Sequence, residues 1–308
     1  MTLISLIAAF LIEQVQPLDV AKWVRAPLGR VAEYFEARFN DGQARHGMIA
    51  WILAVAPPAL AVGALYHVLD RIHPLFALVL NVGVLYLTMG FRHVSHYFTD
   101  VHEALRKGEL DRARALIAEW RGRGAEHLSS SDVARLAIEE ALVASHRHVF
   151  GVAFWFVVLP GPVGAIAYRM AEFLAQRWGQ RSATEFSAFG QFARSAFVAM
   201  DWLPLRLTAL AFAVVGDFED AVYCWRTQAA RWHDPASGIL LASGAGALGV
   251  RLGMPVYESG EITQRPELGL GDDADADFMQ STIGLVWRTL ILGLMLLTLL
   301  GIASWVGS

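Results

Sequence analysis

From Val149 to Tyr168 the chain runs 20 residues without a charged side chain. At about 1.5 Å of helix per residue, that is enough to cross a hydrocarbon core of roughly 30 Å. Yet Pro160, Gly161, Pro162 and Gly164 stand in the middle of this run, VFGVAFWFVVLPGPVGAIAYRM. Proline withholds an N–H and crowds the preceding turn, so backbone groups freed at membrane depth need partners in neighbouring helices or a polar cavity. A second apolar run, DWLPLRLTALAFAVVG (Asp201 to Gly216), carries Asp201 and Arg206 beside Pro204. Each charge costs about 2.5–3.5 kcal/mol at a bilayer centre, so both are expected to face protein or water and to find partners. Two readings stay open: two spans with a proline kink and interface-level charges, or a broken-helix cavity wall. Both place the chain in a membrane.

Composition agrees. Hydrophobic residues make up 55% of the 308 and charged ones 18%, against about 45–50% and 25% in soluble domains. The net charge of -4 gives no sign of a nucleic-acid partner. Cys224 stands alone, which excludes an intrachain disulfide and suits a reducing, cytoplasmic setting. The start, MTLISLIAAFLIEQ, lacks a basic n-region and a clear cleavage site, so it does not read as a removable signal.

The expected fold is all-α, a polytopic membrane bundle of five to six segments forming a single domain over residues 1–308. Its apolar segments are 2–15, 48–69 (kinked at Pro57 and Pro58), 75–91, 149–170, 196–216 and 284–306. The short turn Asp70 to Pro74 makes the second and third antiparallel neighbours. Residues 13–47 form an amphipathic basic helix, interfacial or core-facing, with Trp23, Val24, Leu28, Val31, Tyr34, Phe35 and Phe39 at helical spacing. Residues 92–148 are polar and helical. A break falls at Gly108, and the cap Ser129-Ser130-Ser131-Asp132 opens a helix over Val133 to His146. Glu172 to Arg194 reads as a polar connection. Residues 217–283 read as a soluble tail, glycine-rich at SGAGALGVRLG, with GDDADAD (Gly271 to Asp277) as a solvated loop.

Charge asymmetry sets the expected orientation. If all six segments cross, 13–47, 92–148 and 217–283 share one side and carry eighteen Lys and Arg residues. The other side carries Arg71, Arg177, Arg181 and Arg194. The positive-inside rule makes the large loops cytoplasmic in a bacterial inner membrane. His93 and His96 sit at i, i+3 without a companion carboxylate, so no metal site is expected. His146, Arg147 and His148 precede a span, where they are placed to meet a lipid phosphate or another anion. Trp51, Trp155, Tyr168, Trp202 and Trp305 read as interface anchors.

GPVGAIAYR (Gly161 to Arg169), WLPLRLTAL (Trp202 to Leu210), GAGALGVRLGMPVY (Gly244 to Tyr257) and GELDRARALI (Gly108 to Ile117) resemble the CobD/CbiB family of cobalamin biosynthesis. These matches lie in the family's order over most of residues 85–290. The resemblance implies a polytopic inner-membrane adenosylcobinamide-phosphate synthase. Such an enzyme joins adenosylcobyric acid to an aminopropanol phosphate through an amide, with Mg-ATP as cofactor. Activating a carboxylate by phosphorylation calls for metal-binding acids and phosphate-binding donors.

Here the sequence departs from the family. The Gly-Arg-Asp-Thr-Ser stretch corresponds to Gly122-Arg123-Gly124-Ala125-Glu126, losing the Asp and the Thr. In IEEALVASHRHVFG (Ile138 to Gly151) only Glu139 survives, with Val143, Ala144 and Arg147 at the other acidic or amide positions. The Asn…Asp-Ser pattern becomes Glu172…Ala175-Gln176, and Ser195-Ala196-Phe197 stands where paired acids precede the Trp-Leu-Pro segment. The expected protein is therefore a degenerate synthase that uses Mg-ATP only if activity is retained. MTL…IEQ, DWLP-RL and GDFEDAVYCW (Gly216 to Trp225) are also similar to AmpE, an inner-membrane modulator linked to β-lactamase induction, which leaves a non-catalytic regulator as the alternative. The catalytic residues are left open. A retained ligand site is expected from Arg123, Glu139, His146, Arg147 and Arg251, with backbone N–H groups of the glycine-rich stretch near the anion. Its partners are membrane lipids, a corrinoid or other anionic ligand, and a second copy of the chain.

Overall fold

The computed structural model describes residues 2–15, 21–179, 187–258 and 260–306. Arg181, residues 180–186 of the expected polar connection, and the side chains of Lys22, His93 and Trp305 lie outside the described residues. The chain divides into two compact units, Met1–His93 with His148–Pro204, and Val94–Arg147 with Leu205–Ser308. Among the described residues, four helices are long and apolar enough to cross a membrane: Ala44–Ile72, Ser130–Val158, Ala188–Val215 and Ala276–Ala303.

The first unit holds α1 (Thr2–Val15), α2 (Ala26–Phe39), α3 (Ala44–Ile72), α4 (Pro74–Thr88), α8 (Gly151–Val158), α9 (Val163–Gly179) and the first part of α10 (Ser187–Val215). In α3 the small residues Ala50, Ala54, Ala59 and Gly63 are buried, whereas Leu60, Leu65 and Val68 are exposed. Small side chains inward and large apolar ones outward is the pattern of helices packed in lipid. The helix runs through Pro57 and Pro58 without ending. Residue His73 turns the chain straight into α4, as the short connection requires. Helix α2 is core-facing: Leu28, Val31, Phe35 and Phe39 pack on the cluster of Ala50, Ala54, Met170, Leu174, Trp178 and Phe189.

The expected single span over 149–170 is not formed. Helix α8 ends at Val158 and α9 starts at Val163, with Gly161 at φ 63° between them. A Cβ on Gly164 would stand 2.0 Å from the Trp155 carbonyl oxygen, and one on Gly151 would stand 2.3 Å from the Tyr168 hydroxyl. Residues 155 and 164, and 151 and 168, therefore face each other across an antiparallel helical hairpin. The cause is local. Pro160 and Pro162 remove two N–H donors, Gly161 supplies the left-handed turn, and the two glycines let the limbs touch. Helix α9 then continues to Gly179 and α10 begins at Ser187, so most of the expected 172–194 connection is helical.

The second unit holds α5 (Phe91–Arg106), α6 (Leu110–Arg121), α7 (Ser130–Ser145), α11 (Phe218–Gln228), α12 (Pro235–Leu248) and α13 (Ala276–Val306). Gly108, at φ 74°, separates α5 from α6, and a capping box between Ser129 and Asp132 opens α7. The tail is not simply soluble. In α12 nine residues from Gly238 to Ala247 are buried, and its glycines admit neighbours: a Cβ on Gly246 would meet the Asp220 carbonyl at 2.4 Å. These glycines serve close packing. Within the helix their N–H groups are committed to its own ladder, so the anion cradle expected from SGAGALG is not built there. The acidic run is also more than a loop: Asp272–Asp273 form strand β5, and Asp275 caps α13 by accepting from the N–H groups of Asp277 and Phe278.

Four more short strands were not expected in an all-α chain: β1 (Val250–Gly253), β2 (Val256–Glu258), β3 (Glu261–Thr263) and β4 (Glu267–Leu268). Strand β1 pairs antiparallel with β4 and parallel with β5, and β2 pairs antiparallel with β3. Helices still make the fold.

Candidate functional site

Glu139 lies on the buried face of α7, one turn beyond Arg135. Glu139 is 6% exposed, and both of its carboxylate oxygens are taken. One accepts from the Gly253 N–H at 2.9 Å; the other accepts from Nη1 of Arg265 at 2.7 Å. Arg265 spends the rest of its fork nearby. Its Nε donates to the Met254 carbonyl (3.1 Å) and its Nη2 to the Gly253 carbonyl (2.9 Å). The guanidinium carbon also sits 5.6 Å from the Trp232 ring centroid. A buried carboxylate is tolerated only when paired and fully hydrogen-bonded, and here the partner comes from 126 residues away.

The other expected ligand residues stand as follows. Arg123 is exposed in the loop that follows Gly122, the left-handed residue closing α6. In the same loop the His127 ring lies edge-on to Tyr257 at 5.3 Å. Arg251 on β1 is an exposed-side ion pair rather than a lone cation: Asp273 of the acidic run accepts from it at 2.8 Å, and Glu267 lies at 3.8 Å. His146 is fully buried, with Nδ1 2.9 Å from the Thr208 hydroxyl, about two helical turns beyond Glu139. Arg147 is half-buried beside it. Of these residues, Glu139 and Arg251 converge on one element, through Gly253 at the end of β1.

Polar groups of the first unit pair among themselves. Tyr168 is completely buried and donates to Asp201 at 2.8 Å; Asp201 is 5% exposed. Arg206, on the part of α10 that belongs to the second unit, is half-buried. Arg169 pairs with Glu172 at 2.7 Å, and Gln176 donates to the second Glu172 oxygen at 2.7 Å. Tyr168 is thus a buried donor, not an interface anchor. Sequence reasoning missed Arg265, Trp232 and the Tyr168–Asp201 bond. Arg265 sits in TQRPEL, where neither periodicity nor a capping pattern marks it.

Helices with small residues inward and large apolar residues outward, several of them long enough to span a bilayer, define a polytopic helical membrane protein. It belongs to the CobD/Cbib protein family, whose model matches residues 6–286. The chain is similar to the cobalamin biosynthesis protein CobD of Stutzerimonas stutzeri (strain A1501), 36% identical over 276 residues and covering 88% of each chain. CobD of Chromobacterium violaceum is 36% identical over 242 residues, 79% of this chain and 75% of the relative. CbiB of Salmonella typhimurium (strain LT2) is 26% identical over 258 residues, 82% and 80%. No solved structure is significantly similar. The AmpE alternative gains no support from these relatives.

Proposed function

We propose that the chain serves cobalamin biosynthesis as an inner-membrane, corrinoid-binding member of the adenosylcobinamide-phosphate synthase type, without ATP turnover. The observation behind this reading is the state of Glu139. The one acid kept from the family's acidic stretch has both oxygens engaged, by a guanidinium and a backbone N–H. Mg-ATP does not fit the residues present. A divalent ion at Glu139 would have to displace Arg265, and Glu172 is likewise tied by Arg169 and Gln176. The ligand we assign is anionic or corrinoid, met by the exposed Arg123 and by the unit around Glu139.

Residues 94–147 and 217–283 are joined within one unit by the Glu139–Arg265 pair, and 94–147 carries seven Arg residues. We place both on the cytoplasmic side. A reporter active only in the periplasm, fused after Gly122 or after Asp273, should be silent at both sites; activity at either overturns this placement. The catalytic question is tested on purified protein with adenosylcobyric acid, aminopropanol phosphate, Mg²⁺ and ATP. The expected result is saturable binding of the corrinoid without phosphate release. Robust ATP-dependent release, abolished by Glu139→Ala, would restore a working synthase.

A further inference from the structure

Strands β1 to β4 form one long hairpin in two parts. In the inner part Leu252 pairs with Leu268 and Gly253 with Glu267, and the Met254 N–H donates to the Pro266 carbonyl at 3.2 Å. In the outer part Val256 pairs with Thr263, Tyr257 with Ile262 and Glu258 with Glu261. Between the two parts Pro255 stands alone on one strand, whereas Gln264 and Arg265 stand opposite it on the other. Two residues against one is a β-bulge, a device that bends a strand and re-aims a side chain. Here the re-aimed side chain is Arg265, the residue that reaches Glu139.

Strand β3 is exposed throughout, with Ile262 62% exposed, and Val256 is the buried apolar residue of β2. Tyr257 also lies against His127, in the loop that carries Arg123. At the neck, Gly253 (φ 74°) and Met254 (φ 62°) both adopt left-handed backbone. Met254 carries a Cβ there, a conformation that persists only when surrounding bonds over-determine it. Those bonds come from Arg265, which grips the carbonyls of both neck residues and the carboxylate of α7 with one planar fork.

We propose that strands β2 and β3 are a lid over the Arg123–His127 loop, hinged at Gly253–Met254 and latched shut by Arg265 on Glu139. The lid governs access to the ligand site assigned above and rests on that reading for its purpose, though its mechanics do not. Glu139 is then a latch for the hairpin instead of a group offered to the ligand. Opening requires that Arg265 release the carboxylate, and an anion entering at Arg123 is a chemically matched competitor for that guanidinium.

Hydrogen exchange of the full-length protein in detergent tests the latch without any ligand. Arg265→Ala should raise exchange over 256–263 by about tenfold or more, leaving peptides of α7 and α12 protected. Arg265→Lys should behave like the Ala variant, because an ammonium cannot span the same three acceptors. Tyr257→Ala, an exposed change that leaves the core intact, should loosen the lid and the 122–127 loop together. Unchanged exchange over 256–263 in Tyr257→Ala and Arg265→Ala overturns the proposal. So does a loss of protection that spreads equally into α7 and α12, or a wild-type hairpin already exchanging freely. Adding adenosylcobyric acid separates the two readings: binding that leaves 256–263 unchanged defeats the lid but keeps the corrinoid assignment.

Discussion

Replacing Gly164 by alanine puts one methyl group where the hairpin of α8 and α9 has no room for it. The added Cβ would lie 2.0 Å from the Trp155 carbonyl oxygen and 2.5 Å from its carbon, whereas carbon atoms settle at about 3.5–4.0 Å. The obstacle is backbone, so no side chain can swing aside, and the limbs must part by roughly an ångström. Overpacking of this kind costs about 1–3 kcal/mol. Gly83→Ala is the internal control. Gly83 lies within α4 and nothing would meet its Cβ within 4 Å, so alanine there should stabilise by about 0.5–1 kcal/mol through the helix backbone alone. The two variants should differ in sign and by about 1.5–4 kcal/mol in total. Unfolding by SDS titration in mixed micelles, followed by tryptophan fluorescence, measures both. In a single kinked span residues 155 and 164 would sit nine residues, about 13.5 Å, apart along one rod. Gly164→Ala would then behave like Gly83→Ala, and that outcome refutes the hairpin.

Two further outcomes follow from buried groups. Tyr168→Phe should cost about 1–3 kcal/mol in the same titration, because it removes the hydroxyl that donates to the buried Asp201. Asp201→Leu should lower folded yield more than Asp201→Asn, whose amide oxygen still accepts from Tyr168; a Leu variant with wild-type yield and melting temperature would make Asp201 merely interfacial. Burial, and then the neighbouring Asp220 charge, push the Cys224 thiol up to about 11. At pH 8 its thiolate fraction is then on the order of 10⁻³, so maleimide should label the native protein far more slowly than the unfolded one. Prompt native labelling at pH 8 would contradict the buried position.

Much of what the sequence announced is local. Chain length against bilayer thickness marked 48–69, 196–216 and 284–306, which fall on helices long and apolar enough to cross a membrane, and small-inward, large-outward packing follows from having lipid as solvent. Gly108 ends a helix and Ser129 with Asp132 begins one because a left-handed turn and a side-chain cap are properties of a few adjacent residues. The amphipathic spacing of Leu28, Val31, Phe35 and Phe39 likewise gave the core face of α2. Even the break at Pro160-Gly161-Pro162 was legible.

What the break does was decided by packing. A proline-glycine turn can kink a span or reverse it. The reversal rests on Gly151 and Gly164 meeting Tyr168 and Trp155, contacts that exist only once both limbs have formed. The apolar α12 could have been taken for a flexible glycine-rich tail, and it becomes core because α11 and α7 close on its glycines. Glu139 was legible as a surviving acid, but its role depends on Arg265, which is 126 residues distant and brought to it by a bulge. Charge and length leave a trace in the local pattern of a chain. A pairing between distant residues leaves none, because its energy exists only in the folded geometry.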